Sequence, residues 1–130
     1  GELISYTIYE HPVLEMVMQM MRRTIKVIGK NTNAILHSDQ GWQYQHKDYQ
    51  ALLKKNNLIQ SMSRKGNCLD NAVMENFFGL LKTELLYLQE FSSMADFKNE
   101  LESYLRYYNE DRIKLKLGGM SPVNYRLAHQ

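Results

Sequence analysis

The sequence predicts an α/β fold of three layers, with a sheet between helices. Three observations carry that expectation. Short apolar or β-branched runs at residues 3–9, 34–37 and 58–62 alternate with stretches of helical periodicity. Two further helical stretches follow the last run with no strand pattern between them. Hydrophobic residues make up 44% of the 130 positions, enough for one core, while the length leaves no room for a second full domain.

Residues 3–9 are β-branched and aromatic, apolar on both faces, and stopped by His11 and Pro12, which reads as a strand. Pro12 fits the first turn of a helix, where its missing N–H costs nothing, and Val13, Leu14, Val17, Met20, Met21 and Ile25 continue at helical spacing. Residues 34–37 form a short second strand that ends at Asp39. Residues 47–55 read as a short helix with Tyr49, Leu52 and Leu53 inward, and residues 58–62 as a third strand. In the helix that follows, Asn67 acts as cap with Asp70 three positions on, which satisfies free amides and places negative charge at the positive helix end. At about 100° per residue, Val73, Met74, Phe77, Leu80 and Leu81 share one face, and Asn71, Glu75, Gly79 and Lys82 the other. The Glu75 carboxylate therefore points away from the apolar face. A last long helix, capped by Ser93, carries Met94, Phe97, Leu101, Tyr104, Leu105 and Tyr108 at three- and four-residue spacing, a stripe for core packing.

A formal charge of +2 and a pI near 8.6 do not require a nucleic-acid partner, so DNA affinity must rest on local clusters. The candidates are Arg22-Arg23-Lys26-Lys30, Lys54-Lys55, Arg64-Lys65 and Arg112-Lys114-Lys116; each taken singly is also an ordinary solvated surface. The single cysteine, Cys68, excludes an internal disulfide, and the four histidines lack metal-ligand spacing with it, which disfavours zinc. No apolar run reaches membrane-spanning length and the N-terminus lacks the order of a signal peptide. A soluble, cytoplasmic protein without membrane contact is expected.

The chemistry lies in His37-Ser38-Asp39-Gln40-Gly41 and in Glu75, 36 positions after Asp39. Two carboxylates, one after a short apolar run and one early in a strong helix, are what a site needs to hold divalent metal ions against a phosphodiester. Spacing alone decides nothing, because five Asp and nine Glu would produce a pair at any chosen spacing about one time in four. Taken singly, Asp39 is a turn residue before Gly41 and Glu75 an exposed helix residue. The flanking residues reverse that. Residues 62–72, Met-Ser-Arg-Lys-Gly-Asn-Cys-Leu-Asp-Asn-Ala, lead into the glutamate helix; Lys82 follows Glu75 by seven; and the tail carries Tyr107-Tyr108-Asn109, Arg112, Leu117-Gly118 and Ser121-Pro122.

Together these residues resemble the catalytic core of bacterial insertion-sequence transposases in the retroviral-integrase (DDE) superfamily, over nearly the whole chain. The resemblance implies a partial ribonuclease-H-like (integrase core) fold lacking its first two strands, so that residues 1–130 form the C-terminal part of the core with its C-terminal helices. It implies that Asp39 and Glu75 are the second and third acids of a metal-binding triad for Mg²⁺ or Mn²⁺, close together in space. The first acid lies on a strand this sequence does not contain, and neither Glu2 nor Glu10 has the context of its replacement. The implied activity is metal-dependent DNA cleavage and strand transfer, with element ends and target DNA as partners, and the chain alone is expected to be inactive. A non-catalytic DNA-binding or transposase-interacting product is the alternative. Lys82, Arg64 and Lys65 are implied DNA contacts, with solvated basic residues as the alternative. Trp42 either caps the core or stacks on an unpaired base, Gly79 leaves room beside Glu75, and His37 receives no chemical role. Strands stripped of their neighbours at residues 3–9 and 34–37 imply a homo-oligomer.

Overall fold

Helical spacing of Val17, Met21 and Ile25 draws Leu14–Ile28 into the first regular element, α1, of the computed structural model, which describes residues 1–29, 32–64 and 72–130. Two units are present, Ile4–Ala72 and a second formed by Gly1–Leu3 with Val73–Gln130.

The first unit continues with β1 (Ile35–Ser38), α2 (Trp42–Gln45), α3 (Lys47–Lys55) and β2 (Ile59–Met62). The two strands pair in parallel, Ile35 opposite Ile59 and Ser38 opposite Met62. Parallel neighbours need a crossover, and α2 and α3 supply it. Asn57 then takes the left-handed conformation (φ 58°), which a short polar side chain tolerates, and turns the chain into β2. Val17 and Met21 of α1, Tyr49 and Leu53 of α3, and Leu58 form the buried core, with Leu36 packed against it. The opposite face of the strand pair carries Ile35 and Ile59, 65% and 51% exposed.

Residues 3–9 do not form the expected strand. Among the described residues the sheet has two strands, and this segment runs beside α1 with side chains taking the place of a ladder. The Ser5 and Thr24 hydroxyls lie 2.6 Å apart, and both reach the Met20 carbonyl. Thr7 donates to the Met16 carbonyl at 2.9 Å, and the Arg23 guanidinium donates to the Tyr6 carbonyl at 2.9 Å. β-Branching favours a strand, but pairing, which decides strand formation, depends on a neighbour.

The second unit holds α4 (Ala72–Leu81), a π-helical turn (Lys82–Leu86), α5 (Met94–Glu110), a 3₁₀ turn (Leu115–Leu117) and α6 (Pro122–Ala128). Phe77, Leu85, Tyr104, Leu105 and Tyr108 make its core. The expected apolar face of α4 is buried only from Phe77 onward, for Val73 is 72% exposed and Met74 is exposed as well. The expected Asn67–Asp70 cap lies outside the described residues. Ser93 caps α5 as expected, its hydroxyl accepting the Asp96 N–H at 3.0 Å. The widened turn after α4 begins where the Thr83 hydroxyl bonds back to the Gly79 and Leu80 carbonyls, a competition that disturbs regular helix pairing.

The tail residues that carried the resemblance are structural. The Asn109 carboxamide pairs both backbone groups of Leu3, accepting its N–H and donating to its carbonyl, each at 2.7 Å. Arg112 holds Glu84 of the π turn by a fork of three bonds at 2.6–3.0 Å. Gly118 (φ 66°) closes the 3₁₀ turn in a left-handed conformation. Ser121 caps α6 and Pro122 starts it, where its fixed φ is already helical.

Candidate metal and DNA site

Asp39 follows the last residue of β1, where the ladder ends with the Ser63 N–H donating to the Ser38 carbonyl at 2.7 Å. The chain turns there because the Asp39 carboxylate accepts the Gly41 N–H at 2.8 Å, an Asx turn that leads into α2. A Cβ at Gly41 would come within 2.9 Å of Asp39 Oδ1, so a larger residue there would push the carboxylate from its place in the turn. The carboxylate is exposed, and its charge adds to the burial that raises the Tyr44 phenol above its ordinary value. The parallel register places Arg64 one residue beyond the position opposite Asp39, so β1 and β2 deliver an acid and a base to the same end of the sheet. Lys65 lies outside the described residues.

Behind this turn lies a polar cluster that sequence reasoning missed. The Ser63 hydroxyl donates to the Ser38 carbonyl at 3.2 Å; in the neutral His37 ring, Nε2 therefore donates to Ser63 (3.1 Å) while Nδ1 accepts from Ser61 (2.9 Å). The Gln40 carboxamide donates to the Ser63 carbonyl at 3.1 Å. A signal was present: His37 stands two residues before Asp39, and Ser61 and Ser63 recur at strand period on β2 and its end.

Glu75 stands exposed in the first turn of α4, where its charge suits the positive helix end. Lys82, also exposed, opens the π turn. Seven residues of about 100° return a side chain to nearly the same face, so Glu75 and Lys82 share it, and a Cβ on Gly79 between them would meet nothing within 4 Å. Asp39 with Arg64 and Glu75 with Lys82 are thus two pairs, one in each unit.

The match to the integrase core domain covers residues 1–68 in one family model and residues 75–129 in a second. The chain belongs to the integrase core family. It is 51% identical over 126 residues to a protein named as a transposase, InsK, for insertion sequence element IS150 of Escherichia coli, covering 97% of this chain and 44% of that protein. It is 47% identical over 126 residues to a transposase-like protein of Haemophilus influenzae, covering 97% of this chain and 58% of that one. The chain thus spans about half the length of these relatives. The catalytic core domain of the BIV integrase has the same fold, with a TM-score of 0.69 at 21% identity over 93% of this chain and 75% of that one. The partial ribonuclease-H-like fold expected from the sequence is therefore present.

Within this integrase core, Trp42 does not cap the hydrophobic interior. It is 55% exposed, because α2 turns Gln43 inward instead. Among the described residues no three His, Cys, Asp or Glu side chains converge, and no helix is long and apolar enough to cross a membrane.

Proposed function

We propose that the chain is the core part of a transposase that cuts and joins DNA at element ends, with Asp39 and Glu75 as two of its metal-binding acids brought together in the working enzyme. The observation that carries this reading is an exposed carboxylate, braced at the end of a parallel strand, in an integrase core chain whose relatives are named as transposases. The donor set suits Mg²⁺ or Mn²⁺, which take few carboxylates and fill the remaining positions with water and phosphate. Such ions, when bound, activate the attacking oxygen and steady the leaving one. Arg64, Lys65 and Lys82 hold the DNA backbone, and Trp42 offers a face for an unpaired base. With two acids of a triad the chain alone does not complete the reaction. It works among DNA in the bacterial cytoplasm and self-associates through residues 3–9 or 34–37.

The test is DNA binding by the purified chain. Arg64, Lys65 and Lys82 changed together to alanine should lower the slope of log affinity against log salt by about 3, and affinity by more than tenfold at low salt. The same change at Arg22, Arg23 and Lys26, which flank neither acid in the sequence, should cost less. Equal losses reject a path centred on the acids. Strand transfer with Mn²⁺ by the chain alone, abolished by Glu75→Gln, would overturn the proposed inactivity. Binding that persists when upstream core sequence is joined on, with no joining of DNA, would favour the non-catalytic reading.

A further inference from the structure

We propose that Gln40 is a positioning residue for Asp39, locking the acid's turn to the end of β2 through its carboxamide. The inference rests on the reading of Asp39 as a metal ligand. The strand ladder stops at the bond from the Ser63 N–H to the Ser38 carbonyl, so β pairing does not hold the backbone of Asp39 itself. Gln40, the next residue, is gripped at two points. Its side chain donates to the Ser63 carbonyl at 3.1 Å, and its own carbonyl accepts from the Gln45 side chain. Holding both groups of Gln40 fixes the backbone on either side of it, and those neighbours are Asp39 and Gly41, the two ends of the Asx turn.

The anchor is rigid. Ser63 is 4% exposed, and each of its polar groups is engaged: N–H and hydroxyl with Ser38, hydroxyl with His37, carbonyl with Gln40. A carboxylate that must meet a cation at about 2.1 Å gains from being held before the ion arrives, since a ligand left loose spends binding energy on its own ordering. Bonds that orient a ligand from behind commonly govern metal affinity by tenfold or more. Gln40 is exposed, so the carboxamide is not needed to fill the core.

Gln40→Met tests this, because methionine keeps the length and charge of glutamine and removes the donor. In the isotopically labelled chain, the Gly41 amide should exchange with solvent at least tenfold faster in the variant. The Leu58 amide, bonded to the Leu53 carbonyl, should exchange as before, showing the fold intact. Titrated Mn²⁺ should broaden the Asp39 and Gly41 resonances, and the concentration for half-broadening should rise threefold or more in the variant. Gln40→Ala, which cannot crowd its surroundings, should give the same two changes. Unchanged Gly41 exchange, or faster exchange with an unchanged Mn²⁺ threshold, overturns the positioning role. Absence of broadening at Asp39 in the unaltered chain would instead refute the metal reading, while the exchange comparison still decides whether Gln40 holds the turn.

Discussion

Tyr108→Ala should destabilise the unit built on Val73–Gln130 by about 4 kcal/mol, near the upper end of single-residue core truncations. Tyr108 is 2% exposed and meets Phe77 edge to face with centroids 5.0 Å apart, so truncation removes a large buried ring and leaves a cavity bordered by aromatic residues and Leu105. Its hydroxyl accepts from the Lys114 ammonium. Tyr108→Phe, which loses only that bond, should therefore cost about 1 kcal/mol. Tyr107→Ala, one position along on the exposed side of α5, should fall within about 0.5 kcal/mol of the unaltered chain. Urea unfolding followed by near-ultraviolet circular dichroism measures all three. A midpoint for Tyr108→Ala equal to that of Tyr107→Ala would show that the α5 stripe is not the core of this unit.

Glu84→Gln should cost about 2 kcal/mol at neutral pH and should remove part of the acid sensitivity of the fold. The Glu84 carboxylate is forked by Arg112 and also accepts the Tyr104 hydroxyl at 3.0 Å, while both charged side chains are mostly shielded from solvent. Glutamine keeps the shape but leaves the guanidinium without its counter-charge, and losing one partner costs more than the pair is worth. The Arg112 bonds hold the Glu84 carboxyl below its ordinary value against an opposing contribution from burial, and the Tyr104 hydroxyl adds to the lowering. Because the unfolded chain takes up this proton more readily, the stabilisation is complete above the unfolded value, about 4.3, and is lost as pH falls through the lower folded value. Unfolding free energies measured from pH 7 to pH 3 should converge for the two proteins at the acid end. A constant gap across that range would mean that the pair contributes through packing alone.

What could be read in advance divides along a physical line. Residues 47–55 were legible to the residue, since the apolar spacing of Tyr49 and Leu53 agrees with local helix preference. The Ser93 cap was legible for the same reason, as capping involves only four consecutive residues. Features set by distant partners were not. Residues 3–9 had the composition of a strand, yet their bonds run to α1 and to Asn109. The exposure of Val73 and Met74 depends on what packs against the first turn of α4, which helical periodicity cannot reveal. Asp39 and Glu75 stood out as candidates through the motifs around them, whereas the bond from Gln40 did not, because a carboxamide bonded to a backbone carbonyl leaves no pattern in composition. The tail motif was legible as a resemblance but not as chemistry. Arg112 sat in a basic cluster, and its partner Glu84 lies 28 residues earlier.

The clasp between Asn109 and Leu3 has a consequence for the order in which the chain acquires structure. These residues are 106 apart, and Glu2 with Arg126, joined at 2.6 Å, are 124 apart. Closing a loop of that length carries a logarithmic entropy cost of about 4 kcal/mol, and nothing offsets it until the partner helices exist. On the ribosome, at about 5–20 residues per second, Leu3 waits several seconds for Asn109 to be made. The contacts inside Ile4–Ala72 span far shorter separations, so they can form well before then. Residues 1–3 are thus among the last pieces of their unit to find their place, fastened by residues of α5 and α6.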